Sequence, residues 1–192
     1  MNKGTVLILG ARSDIGMAVA HRFAKDGYDI QLAARNVESL AEDKSDIELR
    51  YKAVISLHNF DVLDITSHEG FVDKLHPLPT VAVCAVGYMG EQATNEQYVE
   101  IATKVMRSNY EGPASIFSIL ANRFEKRGSG TLVGISSVAG ERGRATNYIY
   151  GSAKAGYTAF LSGLRNRLVK KGVHVITVLP GFVYSKMTEG MD

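Results

Sequence analysis

The chain has no tryptophan and a single cysteine, Cys84. One thiol excludes an internal disulfide and suits a reducing compartment. Within "TVAVCAVG" it reads as a buried apolar residue, since no charge stands nearby in sequence to activate it. Neither sign of charge dominates: 22 Lys+Arg face 20 Asp+Glu, and no block of like charge occurs. That removes the electrostatic case for nucleic acid or an anionic membrane surface. Long hydrophobic runs are missing too. The apolar stretches are of strand length, far below the ~20 residues of a membrane helix. The N-terminal run is too short for a signal peptide. The histidines, at 21, 58, 68, 76 and 174, show no ligand spacing, so no metal is expected. With four prolines and no repeats or linkers, residues 1–192 read as one domain of cytoplasmic type.

What the chain does have is alternation. "TVLILG" (5–10), "YDIQLAAR" (28–35), "VISLHNFD" (54–61), "TVAVCAV" (80–86), "TLVGIS" (131–136) and "VHVITVLPG" (173–181) read as strands. Several lack polar alternation, as strands buried on both faces do. Between them lie stretches of helical period: Ile15 to about Gly27, Val37–Lys44, Thr66–Leu75, Thr94–Asn109, Gly112–Lys126 and Asn147–Lys170. Repeated strand–helix units imply an α/β, doubly wound parallel sheet of the Rossmann type, with six strands present. The ligand site is expected beyond the carboxyl ends of the strands.

"TVLILGARSDIG" is a strand, a glycine turn and a helix start. Gly10 permits the sharp exit and Gly16 lets the helix pack close, leaving free amides for a pyrophosphate. Asp14 reads as a helix cap. Where strand two ends, an acid would accept from an adenosine ribose, but Ala34 and Arg35 stand there. Arg35, helped by Arg12, can pair with a 2′-phosphate, or both are solvated surface arginines. The missing acid favours NADP(H) over NAD(H).

"YIYGSAKAG" (148–156) sets Tyr150 four residues before Lys154, on one helical face, and turns Tyr148 away. An ammonium beside the phenol is expected to lower its pKa, so that Tyr150 can hand a proton to a carbonyl oxygen. Ser137, at the end of the fifth strand, can hydrogen-bond that oxygen, while Ser136 faces the other way. The structural alternative is a packed tyrosine, a surface lysine and two serines capping a strand end.

"GARSDIG" (10–16), "DVLD" (61–64), Asn109 in "RSNYEGP", Ser137, Tyr150-x-x-x-Lys154 and "PGFVYS" (180–185) occur in this order across nearly the whole chain. In order and spacing it resembles a short-chain dehydrogenase/reductase. The resemblance implies that Tyr150 is the acid/base and that Lys154 tunes it and holds a nicotinamide ribose. Ser137 would position the carbonyl and Asn109 a relay water. Asp61 and Val62 would contact the adenine, and Ser13 and Ile15 of the glycine turn, with Gly87, would line the cofactor. Val183, after Pro180-Gly181, would meet the carboxamide. Copies would pair as a dimer or tetramer through residues of about 112–126 and 150–168.

Two departures stand out: Asp14 in the glycine turn, and "CAVG" (84–87) where the family has "NNAG". With "SSVAGERGRATNYIYGSAKAG" (136–156), the second resembles the keto-sugar reductase subunits of decaprenylphosphoryl-ribose 2′-epimerases. That implies a lipid-linked keto-pentose, a flavin oxidase partner and a membrane-peripheral location. Glu141, Arg142 and Arg144 would then face substrate, or form a solvated loop. Family members continue past "SKMTEGMD" into a substrate loop and a seventh strand, so the chain reads as C-terminally short and is expected to bind NADPH but turn over ketones poorly. Two functions stand against each other: an NADPH-dependent ketone reductase, and a non-catalytic NADP-binding sensor or partner protein on the same fold.

Overall fold

The computed structural model describes residues 3–189. Six parallel strands form one sheet: β1 (Thr5–Leu9), β2 (Asp29–Ala34), β3 (Ile55–Asn59), β4 (Val81–Cys84), β5 (Gly130–Ile135) and β6 (Val173–Val178). Their order is β3-β2-β1-β4-β5-β6. The chain winds outward one way from β1 and then the other way from β4, so β1 and β4 flank the point where strand order reverses. Val6 pairs with Val81 and Leu9 with Cys84 across that seam.

Seven α-helices are described: α1 (Asp14–Lys25), α2 (Ala41–Tyr51), α3 (His68–Asp73), α4 (Gln92–Gln97), α5 (Val99–Met106), α6 (Gly112–Arg127) and α7 (Tyr148–Leu168). Every residue of β1 is buried, which is why "TVLIL" shows no alternation. Leu7 and Leu9 point into a core with Phe117, Leu120 and Phe124 of α6 and Tyr157, Leu161 and Leu168 of α7. Val6 and Ile8 point to the other face, against Ala20 and Ala24 of α1 and Ile47 of α2. Burial of such side chains contributes about 25 cal/mol per Å² and holds the layers together. On β6, Val173 and Val175 are buried against α7, while Ile176 and Val178 on the opposite side are exposed.

Three helix expectations need correction. The helix read over Thr94–Asn109 is two, α4 and α5, divided at Tyr98, whose backbone is extended (φ −122°, ψ 106°). α5 then runs into α6 without a loop, through a π-helical turn at Arg107–Glu111. Val37–Lys44 begins as a 3₁₀ turn and continues as α2 to Tyr51, and Thr66–Leu75 likewise divides into a 3₁₀ turn and α3. Of the tail "SKMTEGMD", residues 190–192 lie outside the described residues.

Candidate active site

One cavity of about 910 Å³ opens beyond the carboxyl ends of the strands, at the β1/β4 seam. The residues expected to bind cofactor or take part in the reaction line it, except Gly16 and Asn109. Among the described residues, no group of three His, Cys, Asp or Glu side chains could hold a metal ion.

The nucleotide end begins at Gly10, where the chain leaves β1 at φ +83°, a conformation that favours glycine. A Cβ there would lie 2.8 Å from the Val86 nitrogen, and one on Gly16 would lie 2.7 Å from the Gly10 carbonyl oxygen. Close backbone approach is therefore built into the turn, and the residues present fit a dinucleotide at the start of α1. The helix cap is Ser13, whose hydroxyl accepts from the Gly16 amide at 3.0 Å. This corrects the reading of Asp14 as the cap. Asp14 is the first helical residue, and its carboxylate accepts from the Lys186 backbone amide at 2.7 Å, mooring the segment after β6 to the glycine turn.

At the end of β2, Arg35 is exposed and lines the cavity with Arg12 and Ser39. Asn36 follows in the left-handed region (φ 50°), which asparagine tolerates and which turns the chain at this mouth. Asp61 Oδ1 accepts from the Leu63 amide at 3.0 Å, folding the carboxylate onto its own turn. Behind it lies His68, fully buried, with ring nitrogens 3.3 Å from the Asp61 carbonyl oxygen and 3.0 Å from the Ser115 hydroxyl. A carbonyl only accepts, so Nε2 carries the proton and Ser115 donates to Nδ1. Burial pushes the His68 pKa down. The sequence reading missed this support, because a lone histidine in an amphipathic stretch carries no signal of what it will touch.

At the other end, α7 aims Tyr150 and Lys154 into the cavity, both buried. Lys154, only 3% exposed, donates from Nζ to the Ile135 carbonyl at 3.0 Å. Its ammonium lies 5.7 Å from the ring centre of Tyr150 and 5.9 Å from that of Tyr157. Burial brings the Lys154 pKa down to about 8. Burial also raises the Tyr150 pKa, and a hydrogen bond with Ser137 partly offsets it. The expected depression of the phenol by Lys154 is therefore corrected: the ammonium stands off the ring face, and desolvation prevails.

Ser137 and Ser136 both line the cavity but their hydroxyls have different partners. The Ser137 oxygen accepts from the Ala139 amide at 3.1 Å. Ser136 is buried against α7, 3.0 Å from the Lys154 carbonyl oxygen and 2.7 Å from the Thr158 hydroxyl. Asn109 sits in the π-helical turn and donates from Nδ2 to the carbonyls of Tyr88 (2.6 Å) and Val105 (2.8 Å). Its oxygen accepts from the Tyr88 amide at 3.4 Å. The turn thus clamps the strand-four loop. A Cβ on Gly87 would come within 3.3 Å of the Met187 methyl, 3.4 Å of Asn109 Oδ1 and 3.9 Å of Lys154 Nζ, so the bare glycine lets these three side chains converge.

Tyr148 is 45% exposed and lines a separate shallow groove with Arg142. Of Glu141, Arg142 and Arg144, only Arg144 lines the main cavity. Lys104 and Tyr88, which the sequence reading left out, line it as well. Among the described residues, no helix is long and apolar enough to cross a membrane.

Comparison with known proteins is consistent in direction. The profile of the family described as short chain dehydrogenase matches residues 4–192. An uncharacterized oxidoreductase of Mycobacterium tuberculosis strain H37Rv is 41% identical over 191 residues, covering 97% of this chain and 76% of that protein. The bulky-bulky ketone specific alcohol dehydrogenase of Comamonas testosteroni superposes with a TM-score of 0.86 at 28% identity, over 94% of this chain and 74% of that one. A short-chain dehydrogenase from Sphingobium yanoikuyae, solved in complex with NADPH, superposes with a TM-score of 0.85 at 26% identity, over 95% and 72%.

Proposed function

The chain belongs to the short-chain dehydrogenase family, and from that premise we propose that it is an NADPH-dependent reductase of small-molecule ketones. The observation that carries this reading is a lysine ammonium buried beside a phenol at the floor of the cavity that also holds the glycine turn. A buried charge is costly, and a packed core has no use for one here. The relatives compared above are named as oxidoreductases and dehydrogenases, one with NADPH bound.

Gly10, Ser13, Ile15 and Gly16 would hold the pyrophosphate, and Asp61 and Val62 the adenine end. Arg35 and Arg12 would take the 2′-phosphate. Gly87, Lys154, Pro180, Gly181 and Val183 would surround the nicotinamide, which when bound supplies hydride to a carbonyl carbon. The chain's own residues supply the rest. The Ser137 oxygen accepts from Ala139 and its O–H is shared with Tyr150, so a substrate oxygen entering between the two hydroxyls would take a hydrogen bond from each. The Tyr150 hydroxyl gives that oxygen its proton as the carbon becomes tetrahedral. Burial keeps the phenol protonated until a substrate oxygen arrives, and the negative charge left on the ring would face the Lys154 ammonium, which favours the transfer.

The test is NADPH oxidation against a panel of ketones that includes a polyprenyl-linked keto-pentose, with NADH in parallel. Turnover that requires Tyr150 supports the reading. Cofactor binding without turnover of any ketone would replace it with the sensor. Pairing of copies through α6 and α7 is checked by light scattering, and a flavin oxidase partner by co-purification.

A further inference from the structure

The cavity's charges are unevenly placed: the β1–β3 half mixes carboxylates with Arg12 and Arg35. Its three carboxylates, Asp14, Asp43 and Asp61, all come from the β1–β3 half. Residues from Val62 onward contribute Lys104, Arg144, Lys154 and Lys186 to the wall and no carboxylate. Lys154 is committed to Ile135 and buried beside Tyr150. Lys104 and Arg144 are exposed and form no ion pair among the described residues. The Lys104 ammonium stands 5.0 Å over the ring of Tyr88, the residue that Asn109 clamps through its amide and carbonyl. Arg144 is tied to the start of α7 by its carbonyl, which accepts from the Asn147 amide at 3.1 Å, and Tyr150 follows within one turn. The first turn of α7 contains no acidic residue and no side-chain cap. Both cations thus line the cavity that Ser137, Tyr150 and Lys154 line, Lys104 from α5 and Arg144 from the loop before α7.

Two cations that line the cavity and form no ion pair among the described residues favour a substrate that brings its own negative charge. We infer that Lys104 and Arg144 form an oxyanion-binding subsite, and that the substrate is a ketone bearing a carboxylate or phosphate. This rests on the reductase reading and narrows it. A neutral bulky ketone would leave both cations to solvent, whereas an anionic one gains two charge-assisted hydrogen bonds.

Matched pairs test it: a keto acid against its methyl ester, and a keto-sugar phosphate against the free keto-sugar. The unaltered protein should show kcat/KM at least about tenfold higher for the charged member of one pair or both. The pair with the larger ratio tells whether carboxylate or phosphate is the natural group. Lys104→Gln and Arg144→Gln should each shrink that ratio by about tenfold, mainly through KM, and Lys104→Arg should preserve it. In parallel, NADPH fluorescence of the binary complex is titrated with the corresponding hydroxy acid and hydroxy ester. Equal kcat/KM and equal affinity within each pair would overturn the subsite and leave the reductase standing. If no ketone is reduced yet the hydroxy acid binds tighter in a Lys104-dependent way, the subsite survives and the reductase reading fails. Glutamine variants that lower both members of a pair equally also overturn it.

Discussion

On the nucleotide side of the cavity, built from β1–β3, the charges that would meet a ligand stand in water: Arg12, Asp14 and Arg35 are exposed. On the catalytic side, built from β4–β6 and α7, three polar groups are inside the protein. Asn109 is fully buried, and Lys154 and Tyr150 nearly so. The first arrangement is inexpensive, because an exposed arginine keeps its hydration until a phosphate arrives. The second is costly, because an ammonium has been taken out of water before any substrate is present. The contrast teaches that recognition of a charged ligand can be built on a surface. The interior acts on the two groups in opposite senses: it brings the Lys154 ammonium toward neutrality and holds the Tyr150 phenol protonated.

The sharpest way to break the comparison is to remove the proton donor. Tyr150→Phe should lower kcat by about 10²–10⁴-fold while NADPH still binds. Tyr148→Phe, on the far side of α7, should keep most activity. Steady-state kinetics with cofactor titration checks both, and a dead Tyr148→Phe would reverse the assignment.

Next comes Lys154→Met, which should abolish turnover yet make the fold more stable at pH 7. Confining the ammonium brings its pKa from 10.5 to about 8. At about 1.4 kcal/mol per pH unit this is a penalty of up to about 3 kcal/mol. Above pH 8 the folded lysine is neutral while the unfolded one still holds its proton. Stability therefore rises between pH 8 and 10.5, and below pH 8 the full penalty applies. Denaturant unfolding of the variant should lose that slope, with the gain largest at neutral pH. A variant less stable than the parent at pH 7 would show that the Ile135 bond outweighs desolvation.

On the exposed side the same logic predicts a smaller effect and no stability change. Arg35→Asp should shift the NADPH-over-NADH affinity ratio by about ten- to a hundredfold, the worth of one or two charged hydrogen bonds. Fluorescence titration reads this with little protein background, since the chain lacks tryptophan. Equal affinity for both cofactors in the unaltered protein would contradict the reading of Arg35.

The smallest effect concerns His58 and His68, whose pKa values are lowered by burial. Both are held neutral in the folded chain, while an unfolded histidine takes a proton below about 6.5. Stability should therefore fall as pH drops from 6.5 toward the depressed folded values, and level off beneath them. The urea midpoint between pH 7 and 5 measures it, and His68→Gln should flatten part of the slope.

The strands were legible in the sequence because burial on both faces leaves uninterrupted apolar runs such as "TVLIL" and "AVC". The spacing that put Tyr150 and Lys154 on one face of a helix survives in α7. What was not legible depends on distant partners. Asp14 meets the Lys186 amide, 172 positions away, and no local rule separates that from a cap. The π-helical turn depends on Asn109 finding Tyr88, and the choice of Arg144 over Arg142 depends on how the loop before α7 folds back. The direction of the Tyr150 shift was misread because i,i+4 spacing fixes a shared face and leaves depth open.

The seam between β1 and β4 bears on how the chain folds. Thr5 pairs with Asp29, and Ile30 with Ile55, inside one half; Val81 pairs with Thr131, and Gly130 with Val173, inside the other. Only the seam ties the two halves of the sheet together, and there Thr80 donates to the Thr5 carbonyl across 75 positions. Closing so long a stretch carries the larger entropic cost, so each half is expected to gather before the two meet. The cleft lies on that seam and comes into being only when the halves join. A dinucleotide would therefore find only its phosphate and adenine contacts in the β1–β3 half, and be fully held only when the halves join. Its binding should leave the folding rate unchanged and slow unfolding instead.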